Sequence, residues 1–254
     1  MGRQPVLALA LAAVMALPAC APGGGTETGA KTPARTAPPR ALAYVEGQGS
    51  LDVSLLRAAA FDFPVYESPE RLAADEPVVA AGVIDGWQRG PVLDTGTGAL
   101  DHHVVLRMRV TQPLKGVKGR ASIPGGLVFI ELTQGAVVSR RGVPARRWKP
   151  YWSVKDFAKA LPSGTELLAF LSERPAHEFP VTDPGDPLPA GAKLMAAPPQ
   201  GLVLEDPQRA RQGDDGVTAL VGGLERLSSG GAAWLAHEDL ESLVRHLRAQ
   251  GFSE

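Results

Sequence analysis

Apolar residues recur along this chain in three rhythms: unbroken runs, alternate positions and stripes of helical period. Val6 to Leu17 is an unbroken run behind the basic start Met1-Gly2-Arg3-Gln4, and it falls short of the roughly 20 residues a spanning helix needs. Val78 to Ile84 is a second run, bounded by Pro77 and by Asp85-Gly86, which suits a strand buried on both faces. His103 to Thr111 alternates. Val104, Leu106, Met108 and Val110 face one way, while His103, Val105, Arg107, Arg109 and Thr111 face the other, as in a half-buried strand. Leu127–Thr133 and Glu166–Leu171 predict two more strands, and Gly201–Glu205 and Val217–Val221 two shorter ones.

The helical stripes are fewer. Leu51 to Ala60 has the makings of a short helix that Asp62-Phe63-Pro64 would stop. Ser68-Pro69-Glu70-Arg71-Leu72 opens a better one, with Ser68 as cap and Pro69 where its missing N–H does no harm. Ser153 to Leu161 has apolar positions at helical spacing, a capping Ser153 and a stop at Pro162-Ser163-Gly164. His237 to Gln250 carries the stripe Leu240, Leu243, Val244 and Leu247, with Gly251 to end it.

Short strands separated by turns, with no regular βαβ alternation, predict a mainly β fold: a small OB-like β-barrel or sandwich with short helices and a C-terminal amphipathic helix. The 29 glycines and 23 prolines favour turns over long helices, and at 44% hydrophobic the chain can form a core. A net charge of -1 gives no global attraction to nucleic acid. The expected organisation is a signal peptide over 1–19, a modified Cys20 with a disordered tether to residue 40, an extension over 41–67, and one β-rich domain over 68–254.

The apolar run ends in Leu17-Pro18-Ala19-Cys20. This resembles the lipobox of bacterial lipoproteins: Leu at the third position before the cleavage, a small residue just before it, then the obligatory Cys. Pro18 departs from the small or β-branched residue usual there. The resemblance implies that Cys20 becomes the N-terminus and carries a diacylglycerol thioether; the alternative is an ordinary cleaved signal followed by a chance cysteine. Each buried CH₂ contributes about 0.8 kcal/mol, so added acyl chains anchor far better than one. Cys20 is the single cysteine, so no intrachain disulfide can form and a thiolate zinc site is excluded. Residues 21–40 contain no aromatic residue and are rich in Gly, Pro, Thr and Ala, the composition of a tether. The expected location is the extracytoplasmic face of a bacterial cell membrane.

Three segments of the folded part carry a further resemblance. They are Ala74-Asp75-Glu76-Pro77-Val78-Val79-Ala80-Ala81-Gly82-Val83, Arg109-Val110-Thr111-Gln112-Pro113-Leu114-Lys115-Gly116, and the stretch Leu161 to Leu171 with its Gly164 and Leu167-Leu168-Ala169-Phe170-Leu171. Their pattern resembles a family of bacterial exported proteins similar to the netrin-like and tissue-inhibitor-of-metalloproteinase barrels, which are OB-type folds. The likeness covers roughly 68–205. This chain lacks the disulfides and the inhibitory N-terminal cysteine of the animal inhibitors, so the resemblance implies the fold and not protease inhibition.

Candidate chemistry is sparse. Val92-Leu93-Asp94-Thr95-Gly96 looks like an aspartic-peptidase motif, but two such carboxylates must share a proton. The chain has no second copy, only a hydrophobic pair before glycine at Leu220-Val221-Gly222. A hairpin loop explains the same residues. Asp101-His102-His103 offers metal-ligand types, yet adjacent residues of a strand point to opposite faces, so a surface or strand-edge histidine pair is expected. Asp183, Asp186, Asp214 and Asp215 sit in Pro/Gly-rich loops without the EF-hand pattern. No cofactor and no metal site is expected. The unusual stretch runs from Arg140 to Trp152, where Arg140, Arg141, Arg146, Arg147 and Lys149 interleave with Trp148, Tyr151 and Trp152. Cations with aromatics suit anionic polymers, headgroups or sugar rings; a solvated loop whose tryptophans plug the barrel end is the alternative. The expected activity is a lipid-anchored, non-catalytic binding module for an anionic envelope polymer or an envelope protein, with an extracytoplasmic hydrolase built on Asp94 or an unrecognised site as the alternative.

Replacing Cys20 by Ala is expected to abolish lipidation and leave unprocessed precursor. Metabolic labelling with a radioactive fatty acid checks it, and an unlabelled wild-type protein contradicts it.

Overall fold

A computed structural model describes residues 49–57, 63, 65–212 and 217–254. The signal peptide, Cys20, the tether, residues 41–48 and 58–62 of the extension, and Asp214 and Asp215 lie outside the described residues. The strands are β1 (Val78–Asp94), β2 (Leu100–Lys115), β3 (Leu127–Thr133), β4 (Val137–Val138), β5 (Lys149–Pro150), β6 (Glu166–Glu173), β7 (Val181–Asp183), β8 (Leu194–Ala196), β9 (Leu202–Glu205) and β10 (Leu220–Gly222). The helices are α1 (Pro69–Asp75), α2 (Val154–Ala160), α3 (Pro207–Gln212) and α4 (Leu240–Ala249). The fold is mainly β, as the sequence pattern predicts.

The sheet of 8 strands runs β10-β9-β6-β8-β3-β2-β1-β7, and β6 also pairs with β1. That extra pairing joins β1, β2, β3, β8 and β6 into a barrel-like ring. The first half of β1 lies between β2 and β6, with Ala80 opposite both Pro113 and Ala169. Its alternate residues therefore feed two cores. Val78 and Ala80 join Leu106, Met108 and Ile130 in the inner core, while Val79 and Ala81 join Phe170, Val203 and Trp234 in the outer one. This is why Val78–Ala81 reads as an unbroken apolar run. β1 continues well past Asp85-Gly86, which the sequence pattern takes as its boundary. The register shifts between Ile84 and Gly86 and again between Arg89 and Val92, so these residues form bulges and not turns.

Helices close the cores. α4 opens on a capping box between Asp239 and Ser242 and lays Leu240, Leu243, Val244 and Leu247 into the outer core beside Leu72 of α1; each such fully buried side chain contributes about 1.5–3 kcal/mol. α1 has the Ser68 cap and the Pro69 start expected of it. α2 carries the capping box of Ser153 and Asp156, and its Phe157, with the following Leu161, enters the inner core. A 3-10 turn at Val53–Leu56 takes the place of the helix predicted over Leu51–Ala60, of which residues 58–60 are outside the described set. Asp206, wholly buried, ties this turn down by accepting from Leu51 N–H at 2.9 Å.

The segment 174–193, predicted only as loop, contains β7 and precedes β8. It lies along the far half of β1, with Leu93 opposite Val181 and Asp186 N–H bonded to Arg89 O at 3.0 Å. Gly185, at φ +77, passes so close to Gly90 that an added Cβ would sit 2.4 Å from its carbonyl oxygen. The second face of β2 is therefore covered at its near end, where His103 and Val105 are buried as well as Val104 and Leu106, while Arg109 and Thr111 stay exposed as the alternation predicts.

Glu173 at the end of β6 accepts from Lys193 Nζ at 2.6 Å, Ser122 Oγ at 2.7 Å and Arg120 Nη1 at 3.2 Å. These bonds, that from Lys193 first, lower its carboxyl from 4.5 to about 2. A carboxyl depressed on folding stabilises the fold above its unfolded value and loses that contribution as pH falls. The wild-type melting temperature is therefore expected to fall more steeply from pH 4.5 to 2 than that of Glu173→Gln; parallel curves would contradict this.

Candidate functional site

The β1–β2 hairpin ends in the loop that the peptidase-like motif occupies. Asp94 closes β1, and its Oδ1 accepts the N–H of Gly96 at 3.0 Å, an Asx turn. Gly96 and Gly98 have φ of 76 and 91, left-handed values that favour glycine. Thr95 and Thr97 pair their hydroxyls at 2.9 Å. The tip is the hairpin loop that the turn residues predict.

The cationic stretch folds against this tip. β4 and β5 form its stem, with Val138 opposite Lys149. Gln134, buried, donates through Nε2 to Trp152 O at 2.7 Å and fastens the two ends of the stretch together. At the far end, a 3-10 turn at Ala145–Arg147 carries Arg146, whose Nη2 donates to Asp94 Oδ2 at 2.6 Å. Two features that sequence treats separately thus form one ion pair. Arg140, Arg141 and Arg147 are exposed and form no ion pair among the described residues. The aromatics divide. Trp152 packs on the inner core, Trp148 is half-buried with its indole N–H donated to Val143 O at 3.0 Å, and Tyr151 is 63% exposed. The reading of tryptophan as a plug fits Trp152, and Tyr151 stands edge-on to it at 4.5 Å between ring centroids.

Between the tip and the 174–193 segment opens a cleft of about 440 Å³, lined by Asp94, Thr95, Gly96, Arg146, Phe179 and Pro180. Asp94 N–H bonded to Pro180 O at 3.0 Å holds the third wall. Phe179 and Pro180 were not legible as site residues. The signal for them was an aromatic stranded in a polar, proline-rich loop, where no core could use it.

The histidines correct the surface-pair expectation. His103 is buried, and His102 is half-buried, with burial and then the Lys149 ammonium holding its imidazole below the ordinary range. The two rings do leave the strand on opposite faces, as alternation requires. His103 Nδ1 is 3.3 Å from Pro91 O. Nε2 faces Asp101 Oδ2 at 3.5 Å and Glu131 Oε1 at 3.7 Å. Glu131, whose side chain is 1% exposed, meets His177 Nε2 at 3.4 Å and Arg174 Nε at 3.7 Å through its other oxygen. The two imidazoles thus address different oxygens of one carboxylate. They form a chain and not a converging shell, and no group of three His, Cys, Asp or Glu among the described residues is placed to hold a metal ion. Asp183 and Asp186 are engaged by Arg89, at 3.4 and 3.2 Å. Leu220-Val221-Gly222 is β10, with its residues buried.

The Asp94–Arg146 pair is largely exposed on its arginine side, and pairs of that kind are worth about 0.2–1 kcal/mol. Asp94→Ala is expected to change unfolding free energy by about 1 kcal/mol or less and to leave the hairpin formed. A pepstatin-sensitive peptidase activity of the purified protein, lost in that variant, would overturn the structural role of Asp94.

No protein-family model matches this chain, and no curated protein or solved structure shows significant similarity to it. The functional reading therefore rests on the residues of the site.

Proposed function

We propose that this chain is a non-catalytic binding module, held by a lipid on Cys20 at the extracytoplasmic face of a bacterial cell membrane, that engages an anionic component of the envelope. The signal-like start, the lipobox-like Leu17-Pro18-Ala19-Cys20 and the resemblance to exported OB-type proteins support the anchoring. No helix among the described residues is long and apolar enough to cross a membrane. The observation that carries the binding role is the division of labour among the arginines. Arg146 is spent on Asp94, whereas Arg140, Arg141 and Arg147 stand open on the same loop beside exposed Tyr151. Guanidinium groups without partners, held in a structured loop, bind phosphate or carboxylate bidentately. The hydrolase alternative loses ground at Asp94, since one oxygen accepts from Gly96 and the other from Arg146.

The test uses the full-length lipidated protein in neutral detergent, titrated with inorganic polyphosphate at low and moderate salt. At about 1 kcal/mol per cation near an anionic surface, replacing Arg140, Arg141 and Arg147 by Ala is expected to weaken binding on the order of 100-fold. Adding salt is expected to weaken the wild type more than the triple variant, because screening acts on the charges removed. Absence of binding by the wild type even at low salt would end this reading.

A further inference from the structure

We infer that the cleft at the hairpin tip is a subsite for a sugar ring, so that the anionic envelope component is a glycan. This rests on the binding role proposed above and names the chemistry of its ligand.

The cleft differs from the loop beside it in charge. Its single cation, Arg146, lies 2.6 Å from its single carboxylate, Asp94, so the lining is neutral in sum. A lone phosphate or carboxylate entering there would meet Asp94 as closely as Arg146. A polyhydroxyl ring meets no such penalty, because each hydroxyl both donates and accepts. The polar groups fit that duality. The Arg146 side chain is 70% exposed, which leaves further N–H donors of the guanidinium facing solvent. Asp94 and the Thr95 hydroxyl add acceptors. The guanidinium is a planar fork whose remaining N–H donors span two adjacent hydroxyls of a ring.

The apolar wall supplies the other half of sugar recognition. Phe179 is 44% exposed and lines the cleft with Pro180. An exposed ring on one side of a cleft whose other side carries polar groups is a platform for the C–H face of a saccharide. The cleft, about 440 Å³, is shallow and open, so it takes one face of a ring and leaves the rest of a polymer in solvent. A peptide strand is a poorer occupant. Asp94 N–H is already bonded to Pro180 O and Val92 O already accepts from Thr182 Oγ1, so β1 presents no free edge here. Arg140, Arg141 and Arg147, on the loop that supplies Arg146, then take the anionic substituents of neighbouring units.

The experiment is calorimetric titration of the full-length protein in neutral detergent with two neutral oligosaccharides, the N-acetylglucosamine tetramer and maltotetraose, and separately with polyphosphate. Saturable binding of at least one saccharide is expected. Phe179→Ala, an exposed position whose loss leaves the cores intact, is expected to weaken it about tenfold and to leave polyphosphate binding unchanged. Replacing Arg140, Arg141 and Arg147 by Ala is expected to do the reverse. If polyphosphate binds but neither saccharide does, or if Phe179→Ala leaves saccharide binding unchanged, the subsite is overturned while the anion-binding role stands. If a saccharide binds through Phe179 but polyphosphate does not bind, the subsite survives and the anion-binding role falls.

Discussion

The structure depends on the double pairing of one strand half. Val79 to Val83 of β1 hydrogen-bonds to β2 on one edge and to β6 on the other, and this closes the ring. A strand half that also has one core on each face, as Val78 to Ala81 do, is apolar on both sides. It must also be thin where the partner strand crosses tightly. Gly82 meets that demand: a Cβ there would lie 2.2 Å from Arg109 O. A register slip of one residue would exchange Val78 and Ala80 with Val79 and Ala81 and so exchange the two cores. The outer core then requires its cover, which α1, α4 and Trp234 provide. Trp234 is anchored by its indole N–H on Tyr66 O at 2.8 Å and stands edge-on to Phe170.

What sequence made legible was local. The caps at Ser68 and Ser153, the stripe of α4 and the two-faced run of β1 each follow from a few neighbouring residues, and the structure has each of them. What stayed hidden depends on partners far along the chain. β7 and β8 have 3 residues each, too short to alternate visibly, and exist because β1 and β3 offer edges to pair with. Alternation in β2 correctly sorted its side chains to two faces, but could not say that a later segment would cover the second face at His103 and Val105. The site was half legible for the same reason. Clustered arginines and aromatics marked one wall, an Asp-Thr-Gly turn marked another, and nothing local joined Asp94 to Arg146 or brought Phe179 to them.

Beyond Val83, β1 parts from β6 and keeps β2, itself backed by β3, on one edge. The 174–193 segment takes the edge that β6 leaves, with β7 paired at Val92 and Leu93. Arg89 binds it through Asp186 and Asp183, Gly185 nests on Gly90, and Glu131 meets His177 and Arg174 beneath it. Burying Glu131 with neither oxygen hydrogen-bonded is costly. The Arg174 guanidinium on that segment, 3.7 Å away, offsets part of the cost, so the segment and the buried carboxylate stabilise each other. The polar chain Asp101–His103–Glu131–His177 is in this sense part of the support of the cleft.

Each of the three walls of the cleft is thus fixed by something other than a ligand. The tip has its Asx turn, the arginine loop has its Gln134–Trp152 clasp, and the Phe179 wall has the bond from Asp94 N–H to Pro180 O. A surface assembled in advance loses little conformational entropy on binding, and that loss otherwise consumes much of the gain from contact. The ion pair of Asp94 and Arg146 contributes little to stability, being exposed, yet it joins two of the walls across 52 residues of sequence. Its consequence is positional: it sets a neutral polar edge opposite an aromatic ring while leaving the other arginines of the loop unneutralised. The proposed anion-binding loop and the proposed sugar subsite then lie side by side, and a polymer that satisfied both would carry charge on some units and bare hydroxyls on others.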